Sequence, residues 1–92
     1  MSGTEVLNDT DTEKRLMPLY KVLLHNDDQN SFDHVIRSLM QVFSFSLEDS
    51  VALTLEAHNN GLVLCKTEPL EHAELHKEQL MSLSLSVSLE PE

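Results

Sequence analysis

The apolar positions along the chain change their spacing several times, and each spacing predicts one element. From Phe32 to Phe43 apolar residues recur every three or four positions, which is the pattern of one buried helix face. This is the clearest periodic signal in the sequence. Asn30 is expected to be the N-cap of this helix, with Asp33 three residues on in the arrangement of a capping box.

A second helix is predicted after Ser46, with Asp49 as its capping-box partner. Two asparagines and Gly61 end it, because glycine readily adopts the left-handed conformation that closes a helix. Its apolar positions are expected to form one inward stripe with a threonine and a histidine beside it: Leu47, Val51, Leu55, Thr54 and His58.

Three further segments have the composition of strands or of a helix start. Residues 20–25 and 62–65 are short apolar runs and predict strands, whereas residues 67–69 place a proline at the start of a third helix. Apolar residues alternate with serine over residues 81–89, which predicts a strand with one wet face. The order β-α-α-β-α-β indicates an α+β domain with a small three-stranded antiparallel sheet and three helices on one face.

The N-terminal residues 1–17 have no sustained period and are expected to be a disordered, flexible extension of a domain formed by residues 18–92. They lack the basic and apolar regions of a secretory signal, and no apolar run is long enough for a membrane helix. Six basic against 16 acidic residues give a net charge of −10. This charge argues against nucleic acid or an anionic membrane as partner and favours a monomer. It permits a cationic ligand or a basic protein surface as partner.

A polar loop of two carboxylates and a carboxamide, Asn26, Asp27 and Asp28, follows the first strand. Such a loop suits an ammonium group, although the same residues also form ordinary solvated turns. His58 has two interpretations as well. It is either a core histidine with one satisfied nitrogen or a neutral acceptor for a bound amine.

Metal binding and catalysis have little support in the sequence. His25, Asp27, Asp28 and His58 are zinc-type ligands without a ligating spacing, and the pair His72 and His76 has no third partner nearby. The chain has two glycines and no phosphate-binding or nucleophile-elbow motif. We therefore expect a binding module without a cofactor, and a hydrolase using the aspartates and His58 is the remaining catalytic alternative.

Two motifs stand out, YKVLLHNDD at residues 20–28 and AHNNG at residues 57–61. Together they resemble the ClpS adaptor family, whose members bring N-degron substrates to Clp AAA+ proteases. The first motif resembles the family's first strand and loop, and the second resembles the end of its second helix. The strand at residues 62–65, the third helix and the closing strand extend this resemblance over residues 18–90. A loop motif combined with a spaced histidine is more specific than either alone.

The resemblance implies a role for individual residues. Asn26, Asp28 and His58 would hold the free α-amino group of a substrate, and Asp27 would reinforce the negative field. A bulky hydrophobic first side chain would enter a pocket lined by Asn30, Phe32, Val35, Leu39, Thr54, Ala57 and Leu85. Glu71 and His76 would dock onto the N-terminal domain of a ClpA- or ClpC-type Clp AAA+ unfoldase, in the cytoplasm or in a plastid stroma.

The chain departs from the family pattern around this pocket. Asn30, Ser31 and Phe32 stand where the family usually has Thr-Pro-Met, while Thr54 and Ala57 replace larger residues. The pocket is therefore expected to have a tighter rim and a wider floor. The alternative function is a regulatory protein that binds the unfoldase N-domain without recognising N-degrons.

Overall fold

The computed structural model describes residues 17–92, so the predicted extension lies outside the described residues except for Met17. The elements are β1 (Leu19–His25), α1 (Phe32–Phe43), α2 (Leu47–Asn60), β2 (Leu62–Pro69), α3 (Leu70–Ser82) and β3 (Ser86–Pro91). This order and the antiparallel sheet confirm the predicted α+β architecture. Within the described part of the chain, no helix is long and apolar enough to cross a membrane.

Strand β1 lies in the centre of the sheet, between β2 and β3. Its last residue, His25, is opposite Leu62 at the start of β2 and Ser86 at the start of β3. The chain therefore leaves β1 at an edge where both neighbouring strands begin. This edge is also where the loop that follows β1 lies.

The core is formed by one face of the sheet and the inner faces of the helices. Val22 and Leu24 of β1 and Val63 of β2 belong to the same buried cluster as Leu39, which is fully buried. Period-two alternation in β1 directs these side chains to the helical side. The rest of the buried apolar cluster comes from the helices and the segment before β3: Phe43, Ala57, Ala73, Leu80 and Leu85.

The N-cap of α1 is Ser31, so the expectation that Asn30 caps this helix is wrong. The Ser31 hydroxyl accepts a hydrogen bond from the backbone N–H of His34 at 3.1 Å. The side chain of Asn30 is engaged instead with Asp27 and with the carbonyl of Ser84. Both residue types cap helices well, and long-range contacts decide between them here.

Helix α2 buries a different face from the one its leucines predict. Its buried residues are Ser50, Thr54 and Ala57, whereas Leu47 is 58% exposed and Leu55 is 44% exposed. Small side chains let the helix pack closely against α1 and β2. The predicted caps are confirmed, since Ser46 accepts from the N–H of Asp49 and Gly61 has a φ of 90°.

The third helix and the last strand also begin later than predicted. Strand β2 continues through residues 67–69, and Pro69 is the N-cap of α3 rather than a residue of its first turn. The alternating residues 81–85 belong to α3 and to its closing turn, so only Ser86–Pro91 is a strand. The turn has the two hydrogen bonds of a Schellman motif, from Leu85 N–H to Leu80 and from Ser84 N–H to Met81, with Ser84 at a φ of 70°.

Candidate functional site

A cavity of about 230 Å³ lies at the sheet edge where β1 ends. It is bounded by the loop after β1, the start of α1, the end of α2 and the segment before β3. The lining residues are Leu24, His25, Asn26, Asp27, Asp28, Asn30, Phe32, Val35, Thr54, Ala57, His58 and Leu85. Every residue to which the resemblance assigned amine or side-chain binding lines this cavity except Leu39, which is fully buried in the core.

Gly61 connects the loop to the end of α2. Its carbonyl accepts a hydrogen bond from Asn26 N–H at 2.9 Å, and its own N–H donates to Ala57 at 2.9 Å. The positive φ of Gly61 allows both bonds, because it turns the chain sharply between α2 and β2. The bond from Asn26 to Gly61 connects the segment that carries Asn26 to the end of α2, so that Asn26 and His58 line one cavity although 32 positions separate them in the sequence.

The carboxylate of Asp27 is bonded within the protein. It accepts hydrogen bonds from the backbone N–H of Gln29 at 2.9 Å and of Asn30 at 3.1 Å. The Asn30 amide and the Ser86 hydroxyl donate to it as well. Desolvation alone would raise the pKa of Asp27, but these hydrogen bonds together lower it below its ordinary value.

Asn26 and Asp28 are exposed beside this bonded carboxylate. The two neighbouring aspartates thus have different tasks in the structure, because Asp27 organises the loop while Asp28 faces solvent. A free carboxylate and a carboxamide oxygen at the cavity mouth are acceptors suited to a cationic donor.

His58 is exposed at the cavity rim and is not a core histidine. Its ring lies 5.0 Å from the ring of Phe32 in an edge-to-face arrangement. Phe32 is itself 43% exposed, so the pair forms an aromatic rim where α1 begins and α2 ends. Such edge-to-face pairs add specific geometry to simple apolar contact.

The inner wall of the cavity is apolar and well packed. Ala57 and Leu85 are each 4% exposed, and Val35 is half-buried. Thr54 is equally buried, and its hydroxyl donates to the carbonyl of Ser50 at 2.7 Å, which leaves its methyl group as the apolar surface. Polar rim and apolar wall therefore meet within one small cavity.

Glu71 and His76 lie on α3, apart from this cavity. Glu71 is exposed, whereas the His76 side chain is 19% exposed and its Nδ1 lies 2.6 Å from Oε2 of Glu68. The His76 ring also contacts Phe43, and Lys66 Nζ is 3.9 Å from the second Glu68 oxygen. No pattern in the sequence indicated that Glu68 is a buried carboxylate, since its partner His76 is eight residues away on another element.

Sequence reasoning also overlooked Leu24 and His25 as lining residues. His25 Nε2 lies 2.6 Å from the Ser88 hydroxyl, which joins the end of β1 to β3. Their position directly before Asn26 was the available signal. In residues 17–92, no three histidine, cysteine or acidic side chains form a group that could hold a metal ion.

Comparison with known proteins gives consistent matches over most of the chain. The family model described as ATP-dependent Clp protease adaptor protein ClpS matches residues 15–88. The chain is 45% identical to the ATP-dependent Clp protease adapter protein ClpS of Synechococcus elongatus over 85 residues, covering 91% of this chain and 90% of the relative. The ClpS of Gloeobacter violaceus is 41% identical over 92 residues, covering 98% of each chain.

A chloroplastic relative and a solved structure extend these matches. The Clp protease adapter protein CLPS1 of Chlamydomonas reinhardtii is 37% identical over 75 residues, which cover 80% of this chain and 46% of that relative. The structure of Agrobacterium tumefaciens ClpS2 bound to L-phenylalaninamide is similar with a TM-score of 0.79 and 28% identity. That match covers 82% of this chain and 98% of the solved one.

Proposed function

This chain belongs to the ClpS family of ATP-dependent Clp protease adaptors, and on that premise we propose that its cavity binds N-degrons. The free α-amino group of a substrate is held at the polar rim. The bulky hydrophobic side chain of the substrate's first residue enters the cavity and packs against the apolar wall. The adaptor then delivers the substrate to a Clp AAA+ unfoldase and changes which substrates the protease receives. It acts by binding, without catalysing a reaction of its own.

The observation that supports this proposal most directly is the meeting of charged acceptors and buried apolar groups in one cavity. Asn26, Asp28 and His58 offer acceptor atoms at the mouth, while Ala57 and Leu85 lie buried in the wall. The ligand of the Agrobacterium structure, L-phenylalaninamide, has the matching chemistry of a free α-amine next to an aromatic side chain.

Charge assists the amine at this rim. The Asp27 carboxylate is ionised at neutral pH, as an ordinary aspartate is, and its hydrogen bonds lower its pKa so that it keeps this negative charge to lower pH. Asp28 adds a second carboxylate that is free of hydrogen bonds to neighbours in the described residues and is exposed to solvent. Acetylation of a substrate amine removes the positive charge and leaves these acceptors unpaired, which strongly disfavours binding.

The first test measures fluorescence anisotropy with short peptides that differ only in their first residue. Peptides beginning with Leu, Phe, Tyr or Trp are expected to bind when the amine is free and to lose measurable affinity when it is acetylated. His58→Ala is expected to weaken free-amine binding by about tenfold or more, corresponding to about 1.4 kcal/mol.

His72→Ala is the matched control, since His72 is also an exposed helical histidine but lies on α3. It is expected to bind as the wild type does. Equal binding of acetylated and free peptides would contradict the amine-binding mechanism. Tight unfoldase binding with no peptide affinity would favour the regulatory alternative.

Delivery to the unfoldase involves a different surface. We propose that Glu71 on the exposed face of α3 contacts the N-terminal domain of a ClpA- or ClpC-type unfoldase, and that His76 supports this face through its bond to Glu68. The protein would do this as a monomer, in a bacterial cytoplasm or in a plastid stroma. The chloroplastic relative from Chlamydomonas supports the second location.

A further inference from the structure

We infer that Asn30 is a positioning residue that sets the first-residue specificity of the cavity by joining the Asp27 loop to the turn before Leu85. The inference rests on the proposed function and extends it to the discrimination among first side chains. Asn30 is one of the residues that departs from the family pattern, and its expected task as a helix cap belongs to Ser31.

The side-chain amide of Asn30 makes contacts in two directions. Its Nδ2 donates to the Asp27 carboxylate, 3.2 Å from Oδ1 and 3.1 Å from Oδ2. The same nitrogen lies 2.9 Å from the carbonyl oxygen of Ser84, which is 54 positions away in the sequence. An NH₂ group has two hydrogens, so both contacts can form at once.

The contact with Ser84 supports a conformation that serine adopts rarely. Ser84 has a φ of 70° at the left-handed position of the Schellman turn that ends α3. The next residue, Leu85, is 4% exposed and belongs both to the core cluster and to the cavity wall. The direction of the Leu85 side chain therefore depends on the turn that Asn30 holds.

Ser86 closes the connection on the other side of Leu85. Its hydroxyl donates to Oδ2 of Asp27 at 3.3 Å. Leu85 thus lies between two residues that are both bonded to the loop after β1. We call Asp27, Asn30, Ser84 and Ser86 the Asn30 clamp.

Removing the amide breaks its bonds to Asp27 and Ser84 and leaves the weaker Ser86 contact between the turn and the loop. We expect Asn26, Asp28 and His58 to stay in place. Discrimination among first side chains depends on a fixed wall, whereas amine binding depends on the rim. Asn30→Ala is therefore expected to change the ratio of the Kd values for Leu and Phe peptides by about fivefold or more. Acetylated peptides should remain unbound by this variant.

Two further variants distinguish a specific effect of the Asn30 clamp on the Kd ratio from an effect of general destabilisation. Asn30→Asp keeps the shape but donates no hydrogen bond and adds a negative charge beside Asp27, so its effect should equal or exceed that of the alanine variant. Gln29→Ala is the matched control, because Gln29 is exposed and bonds to Asp27 only through its backbone. It should leave the Kd ratio unchanged.

A readout that needs no peptide is the ¹³C methyl spectrum of Leu85. Asn30→Ala is expected to shift the Leu85 methyl signals, and Gln29→Ala is not. If the wild type binds free-amine peptides but Asn30→Ala preserves both the Kd ratio and the Leu85 signals, the inference is overturned. If the wild type binds no peptide, the proposed function fails and the specificity role with it.

Discussion

At the scale of single residues, two adjacent aspartates with the same side chain have acquired opposite surroundings. Asp27 accepts hydrogen bonds from four donor groups, two backbone N–H groups and the Asn30 amide in its own loop and the Ser86 hydroxyl, while Asp28 faces solvent. The sequence could indicate that the pair forms a polar turn or an amine site, but not which member is bonded. That distinction depends on Asn30 and Ser86, whose positions follow from the complete fold.

The lowered pKa of Asp27 has a consequence for stability at acidic pH. A carboxyl whose pKa is lower in the folded state stabilises the fold above its ordinary pKa of about 3.9 and loses this contribution as pH falls through the folded value. Carboxyl ¹³C titration is expected to show Asp27 losing its charge at a pH below the ordinary pKa of an aspartate. In Asn30→Ala the Asp27 titration should move upward, and an unchanged midpoint would show that the amide does not stabilise this carboxylate.

A second residue-scale prediction concerns Ser50 of α2. Its hydroxyl is completely buried and, within the described part of the chain, has no hydrogen-bond partner. Ser50→Ala removes this unsatisfied group and should raise the free energy of unfolding by about 1–3 kcal/mol, measured by urea denaturation. Ser38→Ala is the matched control, because Ser38 is 2% exposed but its hydroxyl donates to His34 at 2.7 Å. If Ser50→Ala and Ser38→Ala raise the free energy of unfolding by the same amount, the increase reflects helix propensity alone.

At the scale of elements, the helices show where hydrophobic patterns succeed and where they fail. The stripe beginning at Phe32 correctly identified α1, because the large apolar residue Leu39 faces the core. The leucines of α2 predicted the wrong buried face, because this helix packs against its neighbours through Ser50, Thr54 and Ala57. Periodicity assumes that large residues lie inside, and that assumption does not hold where close packing needs small ones.

One pair of leucine substitutions tests whether the leucines of α2 lie outside the core. Leu47→Ala is expected to change the free energy of unfolding by less than about 0.5 kcal/mol, because Leu47 is 58% exposed. Leu39→Ala removes the same atoms from a fully buried position and should cost about 2–5 kcal/mol. Chemical denaturation of both variants gives the comparison, and a large loss from Leu47→Ala would place its side chain inside.

At the scale of the whole molecule, the cavity is assembled from three separated parts of the chain, residues 24–35, residues 54–58 and Leu85. The residue pattern placed Asn26 after a strand and His58 near a helix end, and the resemblance to a known family joined them. The pattern could not show that Gly61 connects them or that Asn30 contacts Ser84, because neither contact affects the spacing of apolar residues in the sequence. Local signals therefore singled out the polar loop and His58, and the family resemblance added most of the other lining residues. The contacts that fix their geometry required the folded chain.

The central position of β1 has a mechanical consequence. The chain enters the described fold at Leu19, the first residue of a strand that is hydrogen-bonded antiparallel to β2 on one side and β3 on the other. A pulling force applied to the residues before Leu19 would act along β1 and load both ladders together in shear. Extraction would then have to break many hydrogen bonds at once rather than in sequence. A motor that pulls on this end of the chain would therefore need a high force to unfold the domain.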